Sequence, residues 1–361
     1  MSGARLAPEF ALLVQCCRWN FAKADEGSLP EVPPGLNWKL LLHAARRHRI
    51  QGLAWNALAK HADSLPGDLK EALASDARSI AASNLGIAGE CRAFQETFEQ
   101  AGLPLLFVKG LTVGALAYRS PLLKMGWDID LLIDPRDLAA AAELLSGRGY
   151  SLGLPSSLAD LPSWHRRSKE SVWHRGGGFH VELHTRLADN VRLIPTIDVR
   201  TPQQQVEVAP AVSLPTLAED ELLAYLAVHG ASSAWFRLKW IADFAALLHG
   251  RSGQDIGRLY RRSQELGAAR AAGQALLLAD RLFDVLEPLP ALREELARDR
   301  ATRLLCRAAL RMLTVGTAEP TERPLGTLAI HWTQMLLKPG LGFKISELWR
   351  QGSGIVSRQP H

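Results

Sequence analysis

Apolar positions along the chain fall into three regimes. Over the first hundred residues they recur at helical spacing, as in Leu69, Leu73, Ile80, Leu85, Ile87, Phe94 and Phe98, which predicts one helix after another. Pro30, Pro33 and Pro34 separate the first helical segment from the second. Beyond Gly102 the runs shorten. Pro104–Val108 is a continuous apolar stretch after a turn residue and predicts a buried strand, and Trp127–Ile133 predicts a second. Ser171–His174 and Phe179–His184 predict two more, joined through Gly176, Gly177 and Gly178 as a hairpin turn. Between these strands Leu111–Tyr118 reads as helix. So does Leu138–Leu145, with Asp134 as N-cap, Pro135 at the first helical position and a stop at Gly147 and Gly149.

From Thr216 the helical period returns. Thr216 and Glu219 read as a capping box for a helix that Gly230 closes. Leu238, Ile241, Ala245 and Leu248 mark one face of the next helix, and further helices are expected from about Ile256 to Glu287 and from Pro290 to about Leu313. The pattern gives an α+β chain: an N-terminal helical region (1–95), a compact core with a small mixed sheet (96–200) and a C-terminal helical domain (201–361).

Composition narrows the classes of function. Hydrophobic types supply 47% and charged types 22% of the 361 residues, which excludes global disorder. Against 37 Asp and Glu, the 42 Lys and Arg give a net charge of +5. That mild excess admits an anionic partner such as a nucleotide and gives no reason to expect a nucleic-acid partner. Cys16, Cys17, Cys91 and Cys306 lack metal-ligand spacing or a disulfide framework and fit reduced thiols. Residues 1–15 hold a short apolar run interrupted by Glu9, a poor signal peptide, and no uncharged apolar stretch approaches 18 residues. A cytoplasmic location without a membrane partner is the resulting expectation.

Candidate chemistry concentrates on the predicted strands. Period-2 alternation places Asp128 and Asp130 on one face and Ile129, Leu131 and Ile133 on the other. Two carboxylates side by side repel, so a cation between them is the favourable arrangement, and an oxygen-only pair suits Mg²⁺. His180, Glu182 and His184 likewise share a face. A self-contained transition-metal site is one reading of them. The more economical one makes Glu182 the third carboxylate of a site begun by Asp128 and Asp130. Lys109-Gly110 closes the first strand, where a glycine corner lets phosphate oxygens approach backbone N–H groups and Lys109 supplies counter-charge. The basic run Arg46–Arg49 reads as a solvated helix end, Trp240 and Phe244 as core, and His229 as a hydrogen-bonded structural histidine.

Taken in order, these features resemble the nucleotidyltransferase superfamily typified by DNA polymerase β, and more closely its branch of bacterial uncharacterised nucleotidyltransferases. The residues that carry the resemblance are Leu106-Phe-Val-Lys-Gly110, Tyr118, Lys124, Asp128-Ile-Asp-Leu-Leu132, Gly149-Tyr150 and Glu182-Leu-His184. They continue with His229-Gly230, Trp235, Leu238-Lys-Trp240 and Asp243, so the set covers most of the chain. The superfamily's usual Gly-Ser before the first carboxylate is Lys-Gly here.

The resemblance implies a polymerase β-like core flanked by helical regions, and transfer of a nucleoside monophosphate from an NTP, ATP by default. Asp128, Asp130 and Glu182 would serve as metal and catalytic carboxylates for Mg²⁺, with Mn²⁺ as substitute. Lys109, Gly110 and Lys239 would bind the nucleotide. The acceptor hydroxyl stays open among peptide, protein, small molecule and saccharide, and the oligomeric state stays open too. An Asp-x-Asp sugar transferase using a nucleotide sugar, and a catalytically silent nucleotide-binding partner protein, are the alternatives.

Overall fold

The computed structural model describes residues 6–22, 30–316, 318–323 and 325–356. The first five residues of the stretch weighed as a signal peptide lie outside them. Strands β1 (Leu106–Phe107), β2 (Asp128–Leu132), β3 (Ser151–Leu154), β4 (Glu170–Arg175) and β5 (Phe179–His184) form one mixed sheet in the order β1-β2-β5-β4-β3. β2 and β5 run parallel, and the other three pairings are antiparallel. A second, two-stranded sheet pairs β6 (Gln203–Ala209) with β7 (Val212–Leu217). The α+β class and the small mixed sheet expected from the pattern are what the chain adopts.

Alternation explains how the sheet is seated. Ile129 and Leu131 of β2 and Val181 and Leu183 of β5 are buried in one apolar cluster with Ile87, Phe94 and Phe98 of the long helix Gly67–Gln100. Each such side chain stabilises the fold by roughly 1.5–3 kcal/mol on burial. The opposite face of the same strands is thereby left for polar groups. Gly177 and Gly178 take φ of +87° and +83° in the β4–β5 hairpin, the left-handed backbone for which glycine was expected there.

The helices at the two ends of the chain share a second core, in which Leu12, Leu41 and Leu53 join Trp235, Ile241, Leu278 and Leu305. All four cysteines are buried free thiols. No helix among the described residues is long and apolar enough to cross a membrane.

Several local expectations are corrected. Thr216 is not a helix cap: it is buried within β7, and the helix Glu219–Ser232 has Ala218 at its N-cap. Pairing with β6 captures the segment before the capping motif can act, a long-range contact that local spacing does not show. Gly230 lies inside that helix rather than ending it. The segment expected as one helix over Ile256–Glu287 divides into Gly253–Glu265 and Ala269–Phe283, broken where Gly267 adopts φ +85°. The stretch after Pro290 divides into Pro290–Arg298 and Arg300–Thr314 because Asp299 accepts hydrogen bonds from the backbone N–H groups of Ala301 and Thr302 and starts a new helix. β3 was not foreseen either.

The run Arg46–Arg49 is not a solvated helix end. Arg46 pairs with Asp76 at 2.8 Å, and Arg47 is buried, donating to the backbone oxygens of Met312 at 2.8 Å and Leu313 at 3.2 Å. His48 is buried too and accepts the Leu238 N–H on Nδ1 at 3.1 Å. The helix Trp38–Arg47 ends against the helix Arg300–Thr314, whose backbone oxygens accept from Arg47, while Arg46 turns to Asp76 of the helix Gly67–Gln100.

Candidate active site

Across the polar face of the sheet the charges follow the strand order. Lys109 comes from the end of β1, Asp130 from β2, Glu182 and His184 from β5, and Glu170 from β4. Parallel register sets Asp130 directly opposite Glu182, so adjacent strands bring two carboxylates together. Ligand atoms of Asp130, Glu182 and His184 all lie within 4.8 Å of one another. Two carboxylates and an imidazole at that separation fit a divalent cation.

The remaining contacts describe how the cluster is held. Lys109 Nζ is 2.6 Å from Asp130 Oδ1 and 3.7 Å from Glu182 Oε2. His184 Nε2 stands 3.2 Å from Asp130 Oδ1 and 3.5 Å from Glu182 Oε2, and its Nδ1 is 3.3 Å from Glu170 Oε2. Glu170 is itself paired with its neighbour Lys169.

Electrostatics separate the two carboxylates. Burial alone would raise the Asp130 pKa, but Lys109 and His184 override it and hold the group well below the ordinary carboxylate range. Glu182 moves the other way, raised first by burial and then by the charge of Asp130. Burial disfavours the Lys109 ammonium, yet Asp130 beside it keeps its pKa well above the usual lysine value. The pair therefore divides its protons unequally, with Asp130 ionised and Glu182 the better proton acceptor.

The Lys109-Gly110 corner is built for a close turn. Gly110 adopts φ +67° and stands at the N-cap of the helix Leu111–Tyr118, a conformation that L side chains rarely take. Buried Thr112 ties the corner down by donating to the Lys109 carbonyl at 3.1 Å.

Lys109, Gly110, Asp130, Lys169, Glu170 and Glu182 form one wall of a cavity of about 240 Å³, which fully buried His184 does not line. The other wall is supplied by the helix Leu238–Leu248, with Lys239, Trp240 and Asp243, and by turns that carry Arg49 and Lys124. Asp128 lines the same cavity, half-buried and two residues before Asp130, but is not one of the three clustered ligands. Lys239 is buried, donates to the Met125 carbonyl at 3.3 Å, and has its pKa lowered to about 7 by burial and then by Lys124. Lys124 pairs with buried Asp243 at 3.4 Å, and Tyr118 donates to the same carboxylate at 2.9 Å. The approach to β2 is clamped by Asn84, whose amide donates to Pro121 O at 2.7 Å and Lys124 O at 2.8 Å.

Of the residues singled out in the sequence, Lys109, Gly110, Asp128, Asp130, Glu182 and Lys239 all line this cavity. His180 is separated from Glu182 and His184: it is exposed and pairs through Nδ1 with His174 at 2.7 Å. His229, expected as a purely structural histidine, lines the cavity edge-on to Trp240, with ring centroids 5.4 Å apart. Phe244 is core, whereas Trp240 is only partly buried and lines the cavity. Glu170 and Lys169 were missed, and Arg49, expected on a solvated helix end, lines the cavity instead. Glu170 lies one residue before the strand expected over Ser171–His174 and opens the observed β4, opposite His184.

The family model described as "Uncharacterised nucleotidyltransferase" matches residues 34–284, well over half of the chain. That span includes every cavity-lining residue named above. No curated protein matches the sequence.

Proposed function

The chain belongs to the uncharacterised nucleotidyltransferase family and is thus a transferase of phosphorus-containing groups, and from that premise we propose a metal-dependent transfer of a nucleoside monophosphate to an acceptor hydroxyl. The observation that carries this reading is the parallel register of Asp130 and Glu182 on the cavity wall. Asp130 and Glu182, with Asp128 beside them, would hold Mg²⁺ or Mn²⁺, which supplies charge neutralisation at the phosphates and acidifies the acceptor hydroxyl.

The chain's own groups account for the rest. The α-phosphorus gains a bond to the acceptor oxygen and loses its bond to the α–β bridging oxygen, so pyrophosphate leaves. Glu182, on the cavity wall beside the metal, would receive the acceptor's proton. Lys109, the Gly110 corner, Arg49 and Lys239 meet the phosphate charge from the edges of the cavity. Residues 96–200 form the nucleotidyltransferase core in this proposal, with 1–95 and 201–361 as the helical walls. The acceptor belongs to the peptide, protein, small-molecule or saccharide class, and the nucleotide is ATP by default.

Incubating the protein with each labelled NTP, Mg²⁺ or Mn²⁺ and native lysate tests the proposal directly: a labelled acceptor is expected. Nucleotide affinity measured by calorimetry should collapse in EDTA and in the Asp128→Asn, Asp130→Asn double variant. Equal affinity under either condition refutes metal dependence.

A further inference from the structure

His184 is the least expected member of the cluster, because a site for Mg²⁺ alone needs only oxygen. Its side chain is fully buried, and its two ring nitrogens meet opposite surroundings. Nε2 faces Asp130 Oδ1 at 3.2 Å and Glu182 Oε2 at 3.5 Å. Nδ1 faces Glu170 Oε2 at 3.3 Å, across a register that pairs Glu170 with His184 on neighbouring antiparallel strands.

As the ring stands, Nε2 is hydrogen-bonded to Asp130, and buried Nδ1 makes no hydrogen bond although Glu170 Oε2 lies 3.3 Å away. Coordination of a metal by Nε2 among Asp130 and Glu182 requires the ring proton on Nδ1, where the Glu170 carboxylate would receive it and hold the ring in that tautomer. The orphaned Nδ1 beside a carboxylate is the observation that points to this arrangement. Glu170 is well placed for such a task. Its carbonyl accepts hydrogen bonds from Trp164 Nε1 at 2.6 Å and Ser168 Oγ at 3.0 Å, and its carboxylate is balanced by Lys169.

We propose that His184 is a nitrogen ligand of the metal centre, oriented by Glu170 as a positioning residue, so that the centre is a two-carboxylate, one-imidazole site. This rests on the metal-dependent reading above and deepens it, since an imidazole among the donors favours Mn²⁺, Co²⁺ or Zn²⁺ over Mg²⁺. Lys109 Nζ and His184 Nε2 converge on the same two oxygens, Asp130 Oδ1 and Glu182 Oε2, so a bound metal would take the place of the Lys109 ammonium between them.

The test is electron spin-echo spectroscopy on the full chain loaded with Mn²⁺ alone, with and without ¹⁵N-histidine labelling. Wild type is expected to show a directly bound imidazole nitrogen that changes character on labelling, which requires no substitution in the core. Nitrogen coupling should persist in His180→Gln and vanish in His184→Gln, whose Mn²⁺ affinity falls about 10- to 100-fold. Glu170→Gln should keep the coupling while its Mn²⁺ affinity falls on the same scale of about 10- to 100-fold, with thermal stability little changed. Mn²⁺ bound without nitrogen coupling overturns the His184 assignment and leaves a carboxylate-only centre standing. Coupling that survives in His184→Gln also overturns it. Unchanged affinity in Glu170→Gln removes the positioning role. Failure of wild type to bind Mn²⁺ refutes both this inference and the metal-dependent reading beneath it.

Discussion

On the sheet wall of the cavity, Asp130, Glu182 and Glu170 come from three neighbouring strands. On the helical wall, Arg49, Lys124, Lys239 and Asp243 come from segments nearly two hundred residues apart in sequence. The sheet wall needs little side-chain support to set its spacing, because strand separation and parallel register already bring the donors together. The helical wall is assembled by individual bonds. Asn84 holds the Pro121–Lys124 loop, His48 holds the start of the helix Leu238–Leu248, and Tyr118 holds Asp243. The difference teaches where each kind of function sits. Groups that must keep tight mutual geometry lie on strands, and the positive groups Arg49, Lys124 and Lys239 lie on turns and a helix start that individual bonds hold in place.

The sharpest way to separate the walls is to remove charge from one without touching the other. Glu182→Gln keeps shape and hydrogen bonding on the sheet wall. Because Asp128 and Asp130 can hold the nucleotide's metal without it, transfer is expected to fall by about 10²–10⁴-fold while nucleotide affinity changes little. Transfer assays and calorimetry on the same preparation decide it, and a wild-type rate removes Glu182 from the chemistry.

Lys239→Met acts on the helical wall. A charge-assisted contact to phosphate contributes about 1.5–3 kcal/mol, so nucleotide affinity should weaken by about 10- to 100-fold. The rate at saturating nucleotide should move much less. If instead the saturated rate collapses with affinity intact, the division of labour between the walls is wrong.

Gly230→Ala tests the packing behind the helical wall. A Cβ at this position would lie 2.5 Å from the Trp235 ring, which is fully buried. Overpacking of this kind costs about 1–3 kcal/mol, measurable as a lower denaturation midpoint, and nucleotide binding should weaken in step. Normal stability would show that Trp235 can yield.

The smallest effect is a pH dependence that belongs to one wall. Burial, and then the charge of Arg47, lower the His48 pKa to about 3 in the folded state, against an ordinary value of 6.5. The unfolded chain therefore binds the extra proton first. Stability from this group is complete above pH 6.5 and is lost as the pH falls towards 3, by about 1.4 kcal/mol per pH unit. Protonation of Nδ1 also removes the acceptor for the Leu238 N–H. Denaturation curves between pH 7 and 5 should show this slope in wild type and a flatter one in His48→Gln. Parallel curves would assign the acid sensitivity elsewhere.

How far the sequence could be read follows the same division. Strands β2 and β5, their hairpin partner β4 and the facing of Asp130 and Glu182 were legible, because alternation with period 2 is a local property and apolar neighbours fix which face is buried. The Lys109-Gly110 corner was legible for the same reason, since a glycine with positive φ announces itself at a strand end. The helices of the two ends were legible in kind but not in extent. Their breaks at Gly267 and Asp299 depend on which conformation each turn takes once its neighbours pack.

By itself, then, the sequence determined the α+β class, the acid-bearing strands and the lysine-glycine corner, all set by interactions among residues close along the chain. Only the tertiary structure decided that β2 and β5 lie parallel in the register that opposes Asp130 and Glu182. It also decided that His184 joins them with Glu170 behind it, and that Arg49 faces the cavity while Arg47 and His48 are buried. Each of these is a contact between segments far apart in sequence. The free energy of such a contact comes from burial and pairing that exist only once the whole chain has closed around them.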